Sequence, residues 1–519
     1  MSSVDDSTLD DRGPAVGEKI ERHVWVIAGV VILGMIMSIL DTTIVNVALH
    51  SLHKDLGNPI SQIQWVVTGY LLALAAVIPV TGWAARRYGA KRVYLTSLVL
   101  FTAGSAACGF AHTLGTLVLF RVLQGVGGGM IMPVGQMIMA QVAGPQRMGR
   151  VMGVISMPAM LAPILGPVIG GIILQNLHWS WIFFVNVPVG IIAFVLGWRM
   201  VPKTESGEAG RLDVLGLALL SGGCVGVVYG LSELGTGGSL GSAGVLMPVI
   251  VGLALVVLFC LHAPRVERPL LDLKLYRNRV FGAASLTTFG LGAALFGAMI
   301  LVPLYYQEVR GLSVIATGLL NGPQGLGALI AMPLAARAAE RFGGGRVALL
   351  GVSVLCLMTL PLAFVGAHTS ILLISLVLFV RGSSIGLSFM PAMTVAYASL
   401  RRDQISDATP QMNVLQRVGG AIGTAILAVV LQRAGTAAVA TGHALTHATS
   451  AAQAAALHVT LQQQLAHAFE TSYWWAFGIA ALSLVPCLFL LRAESPAARK
   501  RSEERLEAPI DAPMEAIGA

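Results

Sequence analysis

Polar positions are rare along most of this chain and recur at regular intervals. Between residues 24 and 491, mainly apolar runs long enough to cross a hydrocarbon layer, which takes about 20 residues, alternate with short polar stretches. Fourteen such runs fall at about 24–48, 61–82, 93–112, 115–140, 150–175, 180–200, 213–233, 244–263, 280–306, 315–337, 346–366, 371–397, 408–432 and 471–491. Each is read as a spanning helix, the segment that satisfies its own backbone hydrogen bonds in lipid.

Charge in the polar stretches also alternates. Stretches after even-numbered spans carry Arg86, Arg87, Lys91 and Arg92; Arg147 and Arg150; Lys203 and Arg211; Arg265, Arg268, Lys274 and Arg277; Arg341 and Arg346; and Arg401 and Arg402. Those after odd-numbered spans are nearly bare of Lys and Arg, with Lys54, Arg310 and Arg433 the main exceptions. Basic loops stay on the cytoplasmic side, so both termini are expected there. The resulting plan is a tail (1–23), a six-helix half (24–200), a linker with two further spans (201–279), a second six-helix half (280–492) and a tail (493–519). Within the second half, the Ala-, Thr-, Gln- and His-rich stretch at about 434–470 is expected to form a partly helical outer hairpin. The first 23 residues lack the apolar stretch and cleavage site of a removable signal, so the first span is expected to remain in the mature protein.

Composition agrees. The chain is 55% apolar and 11% charged, with a mean hydropathy of +0.78, whereas soluble domains carry roughly a quarter charged residues. A net charge of +8 would suggest nucleic acid in a soluble protein, but here the basic residues sit beside apolar runs and set topology, so no nucleic-acid partner is expected. Cys108, Cys224, Cys260, Cys356 and Cys487 lie in apolar stretches without metal-site spacing and read as small buried hydrophobes. No GxxxxGK[ST] loop is present, and no zinc spacing or nucleophile elbow suggests an enzyme, which argues against an ATPase or other enzyme, a metal site or a bound cofactor.

The sequence also repeats itself. AARRYGAKRVYL (84–95) matches AAERFGGGRVALL (338–350), and LFRVLQGVGGGMIMP (119–133) matches LFVRGSSIGLSFMP (378–391), at separations of about 255 to 260 positions. Duplicated halves around a central site are a common build for secondary transporters.

Four ordered segments, LDTTIVNVAL (40–49), LFRVLQGVGGGMIMP, LAPILGPVIGG (161–171) and WSWIFFVNVPVG (179–190), resemble the signatures of the fourteen-span drug:proton antiporters of the major facilitator superfamily. The resemblance implies an all-α membrane protein with two six-helix halves and two inserted spans, resident in a bacterial cytoplasmic (inner) membrane. It further implies export of amphipathic, cationic drugs driven by the proton gradient, with small amphipathic substrates, protons and membrane lipids as partners and a monomer as the working unit. A dedicated exporter of an endogenous lipid, siderophore or antibiotic is the alternative, and an uncoupled scramblase or structural membrane protein the second.

Individual residues carry these expectations. Asp41 is a carboxylate in an otherwise apolar span, a costly placement that marks a functional candidate; burial favours its neutral form, so it can take up a proton. Arg121 is similarly placed in span 4, at a compatible depth of roughly 9–11 Å below the outer boundary. In the family, the matching acid and Arg serve proton coupling. Glu233, Glu308 and Asp407 are possible further coupling acids near span ends. In span 5, Gly153, Pro163, Gly166, Pro167, Gly170 and Gly171 match the family's antiporter motif, combining close helix approach with bending. Gly82, Arg86, Arg87, Gly89, Lys91 and Arg92 match its gating loop, except that Arg86 stands where the pattern normally has Asp. Asn46, Gln124, Tyr305, Tyr306, Asn321, Gln324, Met390, Asn413 and Arg417 are candidates to line a substrate cavity, because flexible Met and polar or aromatic groups suit varied ligands. Arg417 and the mid-span Arg381 need partners or a water-filled cavity.

Overall fold

A computed structural model describes residues 21–143, 151, 154, 157–203, 210–235, 242–401, 404–447 and 450–494. The principal helices are α1 (Arg22–Leu56), α2 (Trp65–Val77), α3 (Ala90–Gly109), α4 (Leu114–Ala143), α5 (Met157–Asn176), α6 (Asn186–Met200), α7 (Val214–Gly235), α8 (Ala243–His262), α9 (Arg279–Met299), α10 (Gly322–Phe342), α11 (Gly344–Thr359), α12 (Ile371–Ala398), α13 (Ile405–Ala434) and α14 (Ala451–Leu482). No strand occurs among the described residues. Eleven helical segments are long and apolar enough to cross a membrane; α3, α5 and α10 are not among them. In α10 the apolar stretch is diluted by Gly322, Pro323 and Gln324 at one end and Arg337, Glu340 and Arg341 at the other.

Packing repeats as the sequence does. Helix α1 packs on α5, α2 on α4 and α3 on α4; correspondingly α9 packs on α13, α10 on α12 and α11 on α12. Even the backbone entry to the third helix of each half is shared, since Gly89 (φ 84°, ψ 138°) and Gly343 (φ 89°, ψ 140°) adopt the same conformation. Positive φ is strained for residues with a Cβ, which explains why glycine occupies both places in the two repeated segments.

The inserted pair, α7 and α8, pack on each other, and α7 leans on α2 and α13. Tyr229 of α7 stacks on Trp65 with ring centroids 5.8 Å apart. The outer side of α8 is left exposed, including Cys260. That cysteine departs from the expectation that all five are buried, because a peripheral helix turns most of its apolar surface outward. Connections of the insert reach both halves at one end: Trp83 Nε1 donates to Gly210 O (3.1 Å), and Gln411 Nε2 to Asp272 O (3.1 Å). Within the stretch at about 434–470, the helix Thr436–Thr446 folds back on the first part of α14, where Thr441 Oγ1 donates to Gln464 Oε1 at 2.7 Å.

The two halves are joined unevenly. At the end carrying both described chain ends, one apolar cluster runs across the halves and includes Val24, Met139, Val201, Phe281, Leu400 and Leu490. At the opposite end each half has its own cluster, around Val45, Leu117 and Phe183 in the first and Tyr306, Leu378 and Tyr473 in the second. The apolar core is therefore fastened across the halves at one end and divided at the other, where α5 still touches the second half through Val314–Leu320.

Candidate functional site

Small residues bring the site together. On α4, a Cβ at Gly125 would lie 2.7 Å from Tyr70 O of α2, and one at Gly127 2.5 Å from Phe101 N of α3. Glycines at these positions let three backbones approach closely and hold Arg121, one turn earlier, against α2. There Arg121 Nε donates to Val66 O (2.9 Å), and its Cζ lies 4.1 Å from the Tyr70 ring centroid.

Asp41 of α1 meets this guanidinium from the other side. Arg121 Nη1 donates to Asp41 Oδ2 at 2.6 Å and to Gln124 Oε1 at 2.8 Å. The remaining oxygen, Asp41 Oδ1, accepts from Gln124 Nε2 (2.9 Å) and Asn186 Nδ2 (3.0 Å). Asn186 also donates to Ser105 Oγ at 3.1 Å, and that hydroxyl donates to Phe183 O at 2.9 Å. One carboxylate thus ties α1, α4 and α6 together, with α2 and α3 held through its partners. Both charged side chains have 0% exposure. Removing either partner of such a pair leaves a buried charge, at a cost of about 3–5 kcal/mol.

The second half places Arg381 at the corresponding point of α12 with different surroundings. It is 1% exposed. Nε donates to Thr359 Oγ1 at 3.4 Å and Nη1 to Gln324 Oε1 at 3.3 Å, while Nη2 has no partner. No carboxylate pairs with it among the described residues. Nearby in the outer cluster of this half, the buried Tyr306 hydroxyl is also without a partner, whereas Tyr305 donates to Gly366 O at 2.8 Å.

Of the gating-loop residues, Arg86 forms an ion pair with Asp407 in the first turn of α13, joining the halves at their fastened end. A Cβ on Gly82 would lie 2.5 Å from Ser406 O of that neighbour. Lys91 Nζ donates to Trp198 O (2.7 Å) and Val201 O (2.5 Å), while Arg87 and Arg92 are exposed. In the antiporter motif, Gly166 and Gly170 lie against Thr43 and Ile44 of α1, Gly171 against Ile315 of the second half, and Pro167 is half-buried. Gly153 and the Pro163 side chain lie outside the described residues.

The expected cavity residues divide. Asn46 is exposed, and Asn321, Gln324 and Arg417 are half-buried. Tyr305, Tyr306 and Met390 are buried in packing clusters, because their bulk fills space between helices. Asn413 Nδ2 donates to Gln136 Oε1 (2.9 Å), a buried link between the halves, and Gln124 belongs to the Asp41 network. Glu233 hydrogen-bonds Tyr229, and Glu308 is exposed. Asn186, Ser105 and Tyr70 were not singled out from the sequence. The available signal was Asn186, a lone amide inside the apolar segment WIFFVNVPVG.

The fold and this site define a multi-pass helical membrane protein with duplicated halves and a buried ion pair in one of them. The sequence profile of the Major Facilitator Superfamily matches residues 31–424, and the chain belongs to that superfamily, a transporter family. It is 36% identical over 486 residues to the multidrug resistance protein B homolog of Mycobacterium tuberculosis (strain ATCC 25618 / H37Rv), covering 90% of each chain. A relative from Klebsiella pneumoniae (strain 342), which carries the provisional name multidrug resistance protein MdtD, is 31% identical over 79% of this chain and 86% of its own. Among solved structures, a double-Trp mutant of XylE superposes with a TM-score of 0.61 at 14% identity, over 89% of this chain and 94% of that one.

Proposed function

We propose that this chain is a proton-coupled antiporter that exports amphipathic compounds across a bacterial cytoplasmic membrane, through fourteen spans with both termini inside. The observation that carries the reading is the Asp41 network: a fully buried carboxylate with an Arg partner and two amide donors, joining three helices. An ionised carboxylate accepts from all three donors, whereas a protonated one must give up part of that capacity. Protonation of Asp41 therefore loosens Arg121, Gln124 and Asn186 together and frees α1, α4 and α6 to shift. A proton entering from the divided end drives the halves toward the opposite opening, and its release restores the pair. The proton gradient supplies the energy without a cofactor, and a monomer suffices, since the network lies within one chain.

The relatives' multidrug names support drug-like, amphipathic substrates. The expected preference for cations acquires a condition from the geometry: Asp41 is engaged by Arg121 and enclosed, so it attracts a cation only in a state where Arg121 has left it. The test is substrate-dependent proton flux in proteoliposomes holding purified protein. Wild type should couple the two flows and Asp41→Asn should not; pH-driven export by a folded Asp41→Asn variant would remove Asp41 from the mechanism.

A further inference from the structure

Among the described residues, three charged side chains besides the Asp41 carboxylate lie well inside the spans: Arg121 and Arg381, both buried, and Arg417, half-buried. Only Arg121 has an acid. A guanidinium cannot shed its proton in a protein, so burial does not neutralise Arg381 as it would a carboxyl. Its two acceptors are neutral and sit at 3.3 and 3.4 Å, at the long limit of useful N–H···O contacts. Its Nη2 is unpartnered, as is that of Arg121, and so is the Tyr306 hydroxyl in the same half as Arg381. Tyr306 and Tyr473 pack in one cluster with Leu378, one turn before Arg381 on α12. The cluster therefore offers donors and a fixed positive charge, and no anion to receive them. Gln324, half-buried, forms its more accessible edge.

Arg417 adds to the same imbalance. It is half-buried on α13 and makes no ion pair among the described residues. A buried, uncompensated cation is costly, and in transport proteins charges at this depth mark substrate pathways. The missing counter-charge has a ready source in the cargo.

We infer that the second half holds a site for the acidic group of an amphipathic anion, with Arg381 as the residue that receives it and Gln324 and Tyr306 beside it. This rests on the export reading above and gives it a substrate class: lipophilic weak acids, carried as carboxylates or comparable anions. A guanidinium meets such a group with paired N–H donors, and the unpartnered Nη2 is one of them.

The experiment uses full-length protein in lipid nanodiscs and three versions of one probe: a naphthalene carboxylate, its neutral methyl ester and a quaternary ammonium analogue. Equilibrium binding and export from proteoliposomes are both measured. The wild type should bind the carboxylate at least tenfold more tightly than the ester. Arg381→Gln should remove that preference, and Arg381→Lys should restore part of it by keeping the charge. If Arg381→Gln does not fold, as judged by gel filtration and thermal unfolding, Tyr306→Phe and Gln324→Ala should each narrow the preference severalfold. Equal binding of carboxylate and ester by the wild type overturns the proposal, as does equal loss of both in folded Arg381→Gln. Competition by chloride as strong as by the carboxylate would make this a site for inorganic anions and overturn the substrate assignment. The two readings fail separately: proton-coupled export without acid preference sinks only the anion site, whereas acid-selective binding without any export sinks only the exporter.

Discussion

Arg121 and Arg381 occupy corresponding places in the repeated halves, each buried on the helix that packs against two neighbours of its own half. Around Arg121 the chain supplies a carboxylate at 2.6 Å, an amide at 2.8 Å and a backbone carbonyl at 2.9 Å. Around Arg381 it supplies only a hydroxyl and an amide, both at longer range; Nη2 is without a partner in both guanidiniums. Helix α9, which corresponds to α1, contains no acid over Arg279–Met299. The difference teaches that duplication kept the cation in both halves while only one half kept an internal anion. A self-contained ion pair suits a switch thrown by a proton. A cation lacking its partner suits a receptor for charge brought from outside.

Breaking the first member of this comparison should have the largest effect. Asp41→Asn is expected to abolish pH-driven export and to leave Arg121 as uncompensated as Arg381, which transport and thermal inactivation assays check together. Adding Arg121→Gln to that variant should recover stability without recovering transport; failure to recover it would show that Arg121 is held by Val66 and Tyr70 rather than by charge.

Replacing each Arg by Met sharpens the contrast. Arg121→Met strands a buried carboxylate and should cost about 3–5 kcal/mol, whereas Arg381→Met removes an unpaired charge and should leave ligand-free stability unchanged or raised. Matched unfolding curves in detergent micelles measure both. Equal losses would mean that Arg381 is compensated after all.

Smaller effects belong to the fastened end of the bundle. Gly82→Val places new carbons against Ser406 O and should destabilise the joined arrangement by about 1–3 kcal/mol, the usual cost of overpacking. It should therefore raise the reactivity of single cysteines introduced along the seam between Thr81–Tyr88 and α13. The Arg86–Asp407 pair is partly solvated, with side-chain exposures of 27% and 20%, so its loss should cost about 1 kcal/mol or less. Arg86→Asp should raise the same reactivity no more than about fivefold, and the exchanged pair Arg86→Asp with Asp407→Arg should return part of the way. Full return would assign the contact to charge alone. A smaller remainder would measure what Asp407 gains from sitting in the first turn of α13, where acids favour the helix N-terminus.

Much of the architecture was legible before any coordinates. Long apolar runs mark helices because backbone groups in lipid have no other partners, and the repeats at 84–95 and 338–350 announced a duplicated fold down to Gly89 and Gly343. Asp41 and Arg121 stood out because charge in an apolar run is conspicuous on its own. Three-dimensional packing decided the rest. Hydrogen-bond partners come from helices far apart in the sequence, so Asn186, 145 positions from Asp41, gave little sign of its role. Nor does a list of polar residues distinguish those facing a cleft from those filling a core, and so Met390, expected at a cavity, lies in a packed cluster. Arg86, which broke the expected gating-loop pattern, gained its acid only when α13 was set beside it. Local sequence sets what each helix must bury; which charges end up paired depends on which helices meet.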